Sequence, residues 1–285
     1  MNMSTNTDYT LAIEDITVSF DGFKAVDSLN FYLDRNELHV VIGPNGAGKT
    51  TLLKLITGLL APDKGKVNVN NFIPFQRYPD FLKDIYFVSE ETYQPNLSLK
   101  KYIKLYAPFY SNFDKNKMQR ILEEFELKDT EKLLQISFGQ KKKFMIAFAL
   151  STNCKYLILD EPTNGLDIPS KSIFRKVLVN SVDENQLVII STHQVKDIET
   201  IIDKVVILHS GKIALNNDIY EISENFEFKH FKNIEDKKNI LYYEKKIGGY
   251  KAILKNSNSS ETNVDLELLF NAVVGNRNLN FNDEI

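Results

Sequence analysis

The chain has 285 residues, with 35 Lys and Arg against 38 Asp and Glu and a formal net charge of −3. That length holds one α/β domain with a small appendage, or two modest domains, and the interspersed charges leave no polybasic stripe of the kind that tracks nucleic acid or an anionic membrane. Cys154, the single cysteine, excludes an intramolecular disulfide and a thiolate metal cage, and fits a reducing cytosol. The start, MNMSTNTDYT, lacks the basic head and apolar stretch of a secretion signal, and apolar runs such as Leu187 to Ile190 are too short to cross a bilayer.

In chain order, LAIEDITVSF alternates apolar and polar residues and predicts a strand. A turn at Asp21 and Gly22 leads to a second strand around VDSLNFYL, an antiparallel opening. ELHVVIGPNGAGKTTLLKLITGLL predicts a short apolar strand, a glycine-rich turn and a helix with Leu52, Leu53, Leu55 and Ile56 on its inner side. Ala61, Pro62, Asp63 and Gly65 stop that helix. After the loop TYQPNLSL, residues 98 to 127 read as an inserted helical region with Asp114 as a cap. A further helix is expected after Ser137 through KKKFMIAFAL, then the buried strand KYLILD, the helix PSKSIFRKVLVNSV and the strand QLVIIST. The helix VKDIETII and the strand KVVILHSGKIAL complete an alternation that predicts a parallel sheet covered on both faces. Composition shifts after Asn217. Gly248 and Gly249 predict a β-hairpin within NILYYEKKIGGYKAILKN, a polar linker covers Asn256 to Asn263, and Val264 to Val273 reads as a closing helix.

Chemistry enters with GPNGAGKT, Gly43 to Thr50, which fits the phosphate-binding pattern G-x-x-x-x-G-K-[ST] between a strand and a helix. Its glycines let the backbone N–H groups of Gly43, Pro44, Asn45, Gly46, Ala47, Gly48 and Lys49 wrap around phosphate oxygens, proline excepted as a donor, and the helix start adds its positive end. Lys49 is placed to reach the β and γ phosphates, the Thr50 hydroxyl to ligate Mg²⁺, and Thr51 continues the motif. At the end of YLILDEP, Asp160 is a carboxylate on a buried strand end, suited to holding the same Mg²⁺, and Glu161 beside it is suited to act as general base toward water. His193, in STHQ at another strand end, is the candidate that contacts the γ phosphate and orients that water.

Phe20, GPNGAGKTT, ISFGQ, LILDEP, NGLD and STH, in this order, resemble the ATP-binding subunit of ABC transporters over residues 10 to 215. The resemblance implies an α/β P-loop NTPase core with a mostly parallel sheet, an antiparallel N-terminal β part, an inserted helical subdomain and a small α+β C-terminal tail. It divides the chain into an ATPase domain, 1–217, with its helical insertion at about 90–145, and an accessory region, 218–285. It implies MgATP hydrolysis in a head-to-tail dimer, as a homodimer or with a related ATPase, in which the signature of one subunit contacts ATP on the P-loop of the other. Here Ser137, Gly139 and Gln140 take the signature positions, with Phe138 where the family has glycine. Phe20 takes the place of the aromatic that stacks on adenine; plain core packing is its alternative. Asp167 takes the position that lines the dimer seam. Glu90 stands where the family has a Mg²⁺-ligating glutamine, unless a one-residue shift turns Glu91 to the site. Lys141, Lys142 and Lys143 read as a solvated helix face.

By the same resemblance the partner is an integral membrane permease subunit, met through the helical insertion and the loop after Glu90. The chain is then cytoplasmic and peripheral on the cytoplasmic membrane face. The short tail and Glu90 resemble export-type systems with separate permeases. The rival reading is a soluble ABC ATPase acting on nucleic acid or ribosomes. One P-loop, no long heptad run and no basic surface weigh against it, and no nucleic-acid partner is expected.

Overall fold

Valine and isoleucine runs without a polar alternation build the centre of the molecule, because strands buried on both faces need apolar side chains on each. In the computed structural model, which describes residues 10–35, 37–90, 95–233, 240–256 and 262–275, these runs pair in one six-stranded sheet. The chain opens with β1 (Leu11–Phe20) and β2 (Phe23–Leu33), antiparallel about the Asp21–Gly22 turn, then β3 (Leu38–Ile42) and α1 (Lys49–Ile56). Next come β4 (Lys64–Val69), the short α2 (Pro79–Leu82) and β5 (Ile85–Val88). The helical insertion comprises α3 (Leu99–Tyr106), α4 (Lys115–Glu124) and the start of α5 (Phe138–Ser151). The rest of the core is β6 (Tyr156–Asp160), α6 (Ile168–Ser181), β7 (Leu187–Thr192), β8 (Lys204–His209) and β9 (Lys212–Asp218). The tail holds α7 (Ile219–Asn225), β10 (Phe226–Phe231), β11 (Ile240–Lys246), β12 (Gly249–Lys255) and α8 (Leu266–Gly275).

Strand order in the main sheet is β5-β6-β7-β3-β8-β9, parallel up to β8 and antiparallel at the last pair. Successive residues of each central strand serve opposite faces, the period-2 rule of a pleated strand. Val41, Ile158 and Ile189 pack toward α1 and the antiparallel sheet β2-β1-β4, whereas Val40, Leu157 and Val188 pack toward the helical insertion and the tail. The helical insertion is fastened to the sheet by aromatic rings. Tyr86 of β5 meets Tyr110 edge-on at 5.4 Å, and Phe148 of α5 meets Tyr102 and Phe113, each at 5.2 Å.

Two expectations are corrected and one strand is added. VKDIETII does not form a helix: only Val195–Asp197 make one 3-10 turn. Val195, Ile198 and Ile202 are all buried, and Asp203 just beyond them is fixed to β3, its carboxylate accepting from Leu38 N–H at 2.7 Å. Their i, i+3, i+7 spacing is the one that suggests a helix, but in this anchored, β-branched segment a single turn is enough to bury all three. KVVILHSGKIAL is not one strand either. Ser210 and Gly211, both at positive φ (50° and 74°), turn it back into the β8–β9 hairpin, a turn for which paired positive-φ residues are the usual solution. KGKVNV, to which no element was assigned above, forms β4 beside β1. Among the expectations on the tail, the hairpin about Gly248 and Gly249 is present as β11–β12, with β10 on the far side of β12. Glu91, residues 1–9, Thr92, Tyr93 and most of the polar linker lie outside the described residues.

Cys154 is 3% exposed at the turn before β6, and burial pushes its thiol up to about 12. At pH 8 the thiolate fraction is then on the order of one in ten thousand. Iodoacetamide is therefore expected to leave the folded protein unlabelled at pH 8 and to label it in denaturant, as intact mass reads directly; rapid labelling of the folded chain would refute the burial.

Candidate active site

The C-terminal ends of β3, β6 and β7, and the residues that follow β5, lie side by side because these strands are neighbours in one parallel sheet. Register carries the residues to the same level: Ile42 pairs with Thr192, and Asp160 with Ser191. The chain leaves β3 at Gly43 and wraps to Gly48, whose φ of 103° suits glycine. A side chain there would also collide with Ala25, since an ideal Cβ falls 2.4 Å from its carbonyl oxygen. Lys49, buried at the start of α1, donates to the carbonyl oxygens of Gly43 at 2.8 Å and Pro44 at 3.4 Å, and its ammonium stands 3.6 Å from Glu161 Oε1.

Asp160 is fully buried at the end of β6. Its two oxygens are divided: Oδ2 accepts from the Thr50 hydroxyl at 2.8 Å, and Oδ1 accepts from the Ser191 hydroxyl. Glu161 follows at φ 46°, a left-handed conformation that costs a non-glycine residue about 1–3 kcal/mol and is characteristic of functional turns. The carboxylate is then aimed at β7. Oε2 accepts from the Thr192 hydroxyl at 3.2 Å and His193 N–H at 3.3 Å, while Oε1 lies 2.8 Å from His193 Nδ1. A His193 that donates from Nδ1 to this carboxylate can donate from Nε2 as well only as the imidazolium.

Glu90 joins the group through the turn after Glu161. Its Oε1 accepts from Asn164 Nδ2 at 2.9 Å, and Asn164 N–H bonds the Glu161 carbonyl at 3.2 Å. Ser191, Thr192 and Asn164 are the residues that sequence reading did not single out. They stood inside the quoted motifs, but only pairing across β6 and β7 reveals what they hold. The core-packing alternative for Phe20 fails: the ring is 49% exposed at the end of β1. A cavity of about 900 Å³ bordered by Glu37, Asp203 and Asp218 lies at the opposite ends of these strands and shares none of these groups.

The signature begins α5 at an exposed Ser137. Ser137 Oγ accepts from Gln140 N–H at 3.2 Å and Gln140 Oε1 accepts from Ser137 N–H at 2.9 Å, a reciprocal capping box that fixes the helix start. Phe138, 53% exposed, lies over Gly165: an ideal Cβ on Gly165 falls 2.6 Å from both Cδ1 and Cε1 of the ring. Gly139 adds a second close approach, with its ideal Cβ 3.0 Å from Gly165 O. The departure at Phe138 is therefore matched by a glycine that leaves room for the ring, and it ties the helix start to the turn running from Glu161 to Asp167. Asp167 ends that turn by capping α6, its carboxylate accepting from Ser170 N–H at 2.9 Å. Gly165→Ala is expected to lower the melting temperature by the equivalent of about 1–3 kcal/mol, from its φ of 80° and the clash with the ring. Phe138→Ala in that background should return the clash part; an equal loss with and without the ring would contradict the contact.

Lys142 corrects the reading of Lys141 to Lys143 as a solvated face, since it is 4% exposed. A lysine run carries no sequence signal of which member turns inward.

The ABC transporter family matches residues 26–164, spanning the phosphate loop, the signature and the Asp160–Glu161 pair. The bacitracin transport ATP-binding protein BcrA of Bacillus licheniformis is 32% identical over 234 residues, 81% of this chain and 72% of its own length. The chain belongs to the ABC transporter ATP-binding proteins. Among other relatives, the SkfA peptide export ATP-binding protein SkfE of Bacillus subtilis is 29% identical over 77% of this cassette and 93% of its own length. A solved ATP-binding subunit of an ABC transporter superposes with a TM-score of 0.67 at 26% identity, over 75% of this cassette and 91% of its own chain. The cassette is an ABC-type ATPase: it binds and hydrolyses ATP as the ATP-binding subunit of an ABC transporter.

Proposed function

We propose that this cassette powers an export-type transporter whose membrane permease is a separate chain, and that each of its ATP sites is shared between two ATP-binding subunits. The observation that carries the shared site is the division of labour along the chain. Lys49, Thr50, Asp160, Glu161 and His193 gather at the strand ends, whereas Ser137 starts α5 at the surface with Phe138, Leu134 and Ile168 exposed around it. An exposed, pre-capped helix start with apolar neighbours suits an anion and a covering surface brought by a second subunit, a second copy of this chain or a related ATPase.

In this reading the loop from Gly43 to Lys49 binds the phosphates through its backbone N–H groups, Pro44 having none, with Thr51 on the same helix turn, and Phe20 stacks on adenine. Lys49 turns from its loop carbonyls to the β and γ oxygens. Ser137, Gly139 and Gln140 close the site from the other subunit. Glu161, held by Thr192 and His193, takes the proton from the attacking water, and His193 orients that water at the γ phosphate. The donors fit a hard dication: Thr50 hydroxyl and Asp160 carboxylate already meet at 2.8 Å, with the Glu90 carboxylate just past the end of the neighbouring strand β5. Mg²⁺ bound there supplies charge neutralisation across the phosphates.

Relatives named for peptide export, bacitracin transport and lantibiotic transport support the export assignment. Among the described residues no helix is long and apolar enough to cross a membrane, and in this reading the transport path is supplied by the permease. A groove of about 660 Å³ between the helical insertion and the core, bordered by Leu59, Phe87, Phe109 and Tyr110, suits a helix presented by that permease. The cassette then sits on the cytoplasmic face of the membrane, with residues 1–217 as the ATPase domain and 218–285 as the accessory region. Purification from detergent-solubilised membranes is expected to bring down an integral membrane protein; a ribosomal or DNA fraction in its place would contradict the assignment.

A further inference from the structure

Lys142 lies on the first turns of α5, two residues after Gln140, and yet its side chain is turned inward. A buried ammonium survives only where hydrogen bonds and counter-charges offset its lost hydration. Its Nζ donates to the carbonyl oxygens of Glu90 at 3.2 Å and Ser89 at 3.4 Å. Burial holds the ammonium below its ordinary value, and the carboxylates of Glu90, Asp160 and Glu161 act in the opposite direction. Those are the three carboxylates of the site. Glu90 is therefore gripped from two sides: Lys142 on its main chain and Asn164 on its carboxylate.

A third carboxylate is costly where phosphates gather, because it repels the ligand that the P-loop attracts. A cation buried behind it removes much of that repulsion without occupying the ligand's space. We propose that Lys142 is the positioning residue that makes a glutamate workable at position 90, clamping the Ser89–Glu90 carbonyls and balancing the charge of the Glu90 side chain. The proposal rests on the nucleotide-site reading above. It couples Lys142 and Glu90: losing the lysine frees the Ser89 and Glu90 carbonyls and removes the cation behind a carboxylate that Asn164 still holds, whereas losing the glutamate leaves the ammonium on its two carbonyl oxygens with less opposing charge nearby.

The test is a double-mutant cycle of K142Q, E90Q and K142Q/E90Q in the full chain. Melting temperature is read without nucleotide, and affinity for a fluorescent ATP analogue is read with and without Mg²⁺. K142Q is expected to melt lower and to bind the analogue roughly tenfold more weakly, the scale of one lost charge-assisted interaction. E90Q is expected to melt lower too, and the double variant to recover both melting temperature and affinity to within about threefold of wild type. A merely structural lysine would depress K142Q and the double variant alike, so additive losses overturn the proposal. If K142Q does not fold alone, the double variant decides: a folded, nucleotide-binding protein supports the pair and an unfolded one refutes it. Should the wild type itself fail to bind the analogue, the nucleotide-site reading fails, whereas coupling in melting temperature still tests the pair.

Discussion

Glu161→Gln is expected to abolish steady-state ATP hydrolysis, a fall of roughly 100- to 10,000-fold, while leaving MgATP binding and thermal stability near wild type. The neighbours of Glu161 explain why those effects separate. The amide has the shape of the carboxylate, its oxygen still accepts from Thr192 Oγ1 and His193 N–H, and its NH₂ can donate to His193 Nδ1. What disappears is a base with room for a proton, and the negative charge facing Lys49 at 3.6 Å. Lys49 freed from that charge is, if anything, more available to phosphate. Single-turnover kinetics with radiolabelled ATP measures the step directly. Turnover at the wild-type rate would remove Glu161 from the base role.

Ser137→Arg is expected to stop turnover as completely while the P-loop of the same chain keeps its ATP. Two effects combine at that position. Losing the serine side chain removes one half of the capping box with Gln140, worth about 1 kcal/mol of helix stability. The larger effect is the arginine itself, a bulky cation on the exposed start of α5, where close approach to a second subunit is required. Ser137→Ala separates the terms: it loses the cap but adds no bulk, so its turnover should fall far less than that of Ser137→Arg. Equal activities for the two would place the loss in the helix cap, and unimpaired hydrolysis in both would remove the signature from catalysis.

Much of this site was legible because its chemistry is written in short contiguous motifs. GPNGAGKT between a strand and a helix defines the loop, and DEP at the end of an apolar strand places Asp160 and Glu161 beside it. Contacts between distant segments were not legible. Nothing in NGLD says that Asn164 grips Glu90, and nothing in STHQ says that Ser191 and Thr192 hold Asp160 and Glu161, because those bonds depend on β6 lying beside β7 and β5 beside β6. Phe138 was visible as a departure, but its accommodation depends on Gly165, 27 positions along the chain, being without a side chain. Lys142 was hidden by its neighbours, since periodicity cannot tell which of three lysines a helix turns inward. The two misread segments have different physical causes. In VKDIETII, β-branched residues are buried by tertiary packing that decides between turn and helix, whereas in KVVILHSGKIAL the local Ser210–Gly211 turn signal was overlooked inside an apolar run.

The shared site is tested most directly by the light-scattering mass of Glu161→Gln in MgATP, compared with that of the Glu161→Gln/Ser137→Arg double variant, with bound nucleotide counted in each. The account predicts a nucleotide-loaded dimer of twice 32.8 kDa for the first and a nucleotide-loaded monomer for the second. A dimer that persists unchanged when Ser137 is arginine would contradict it.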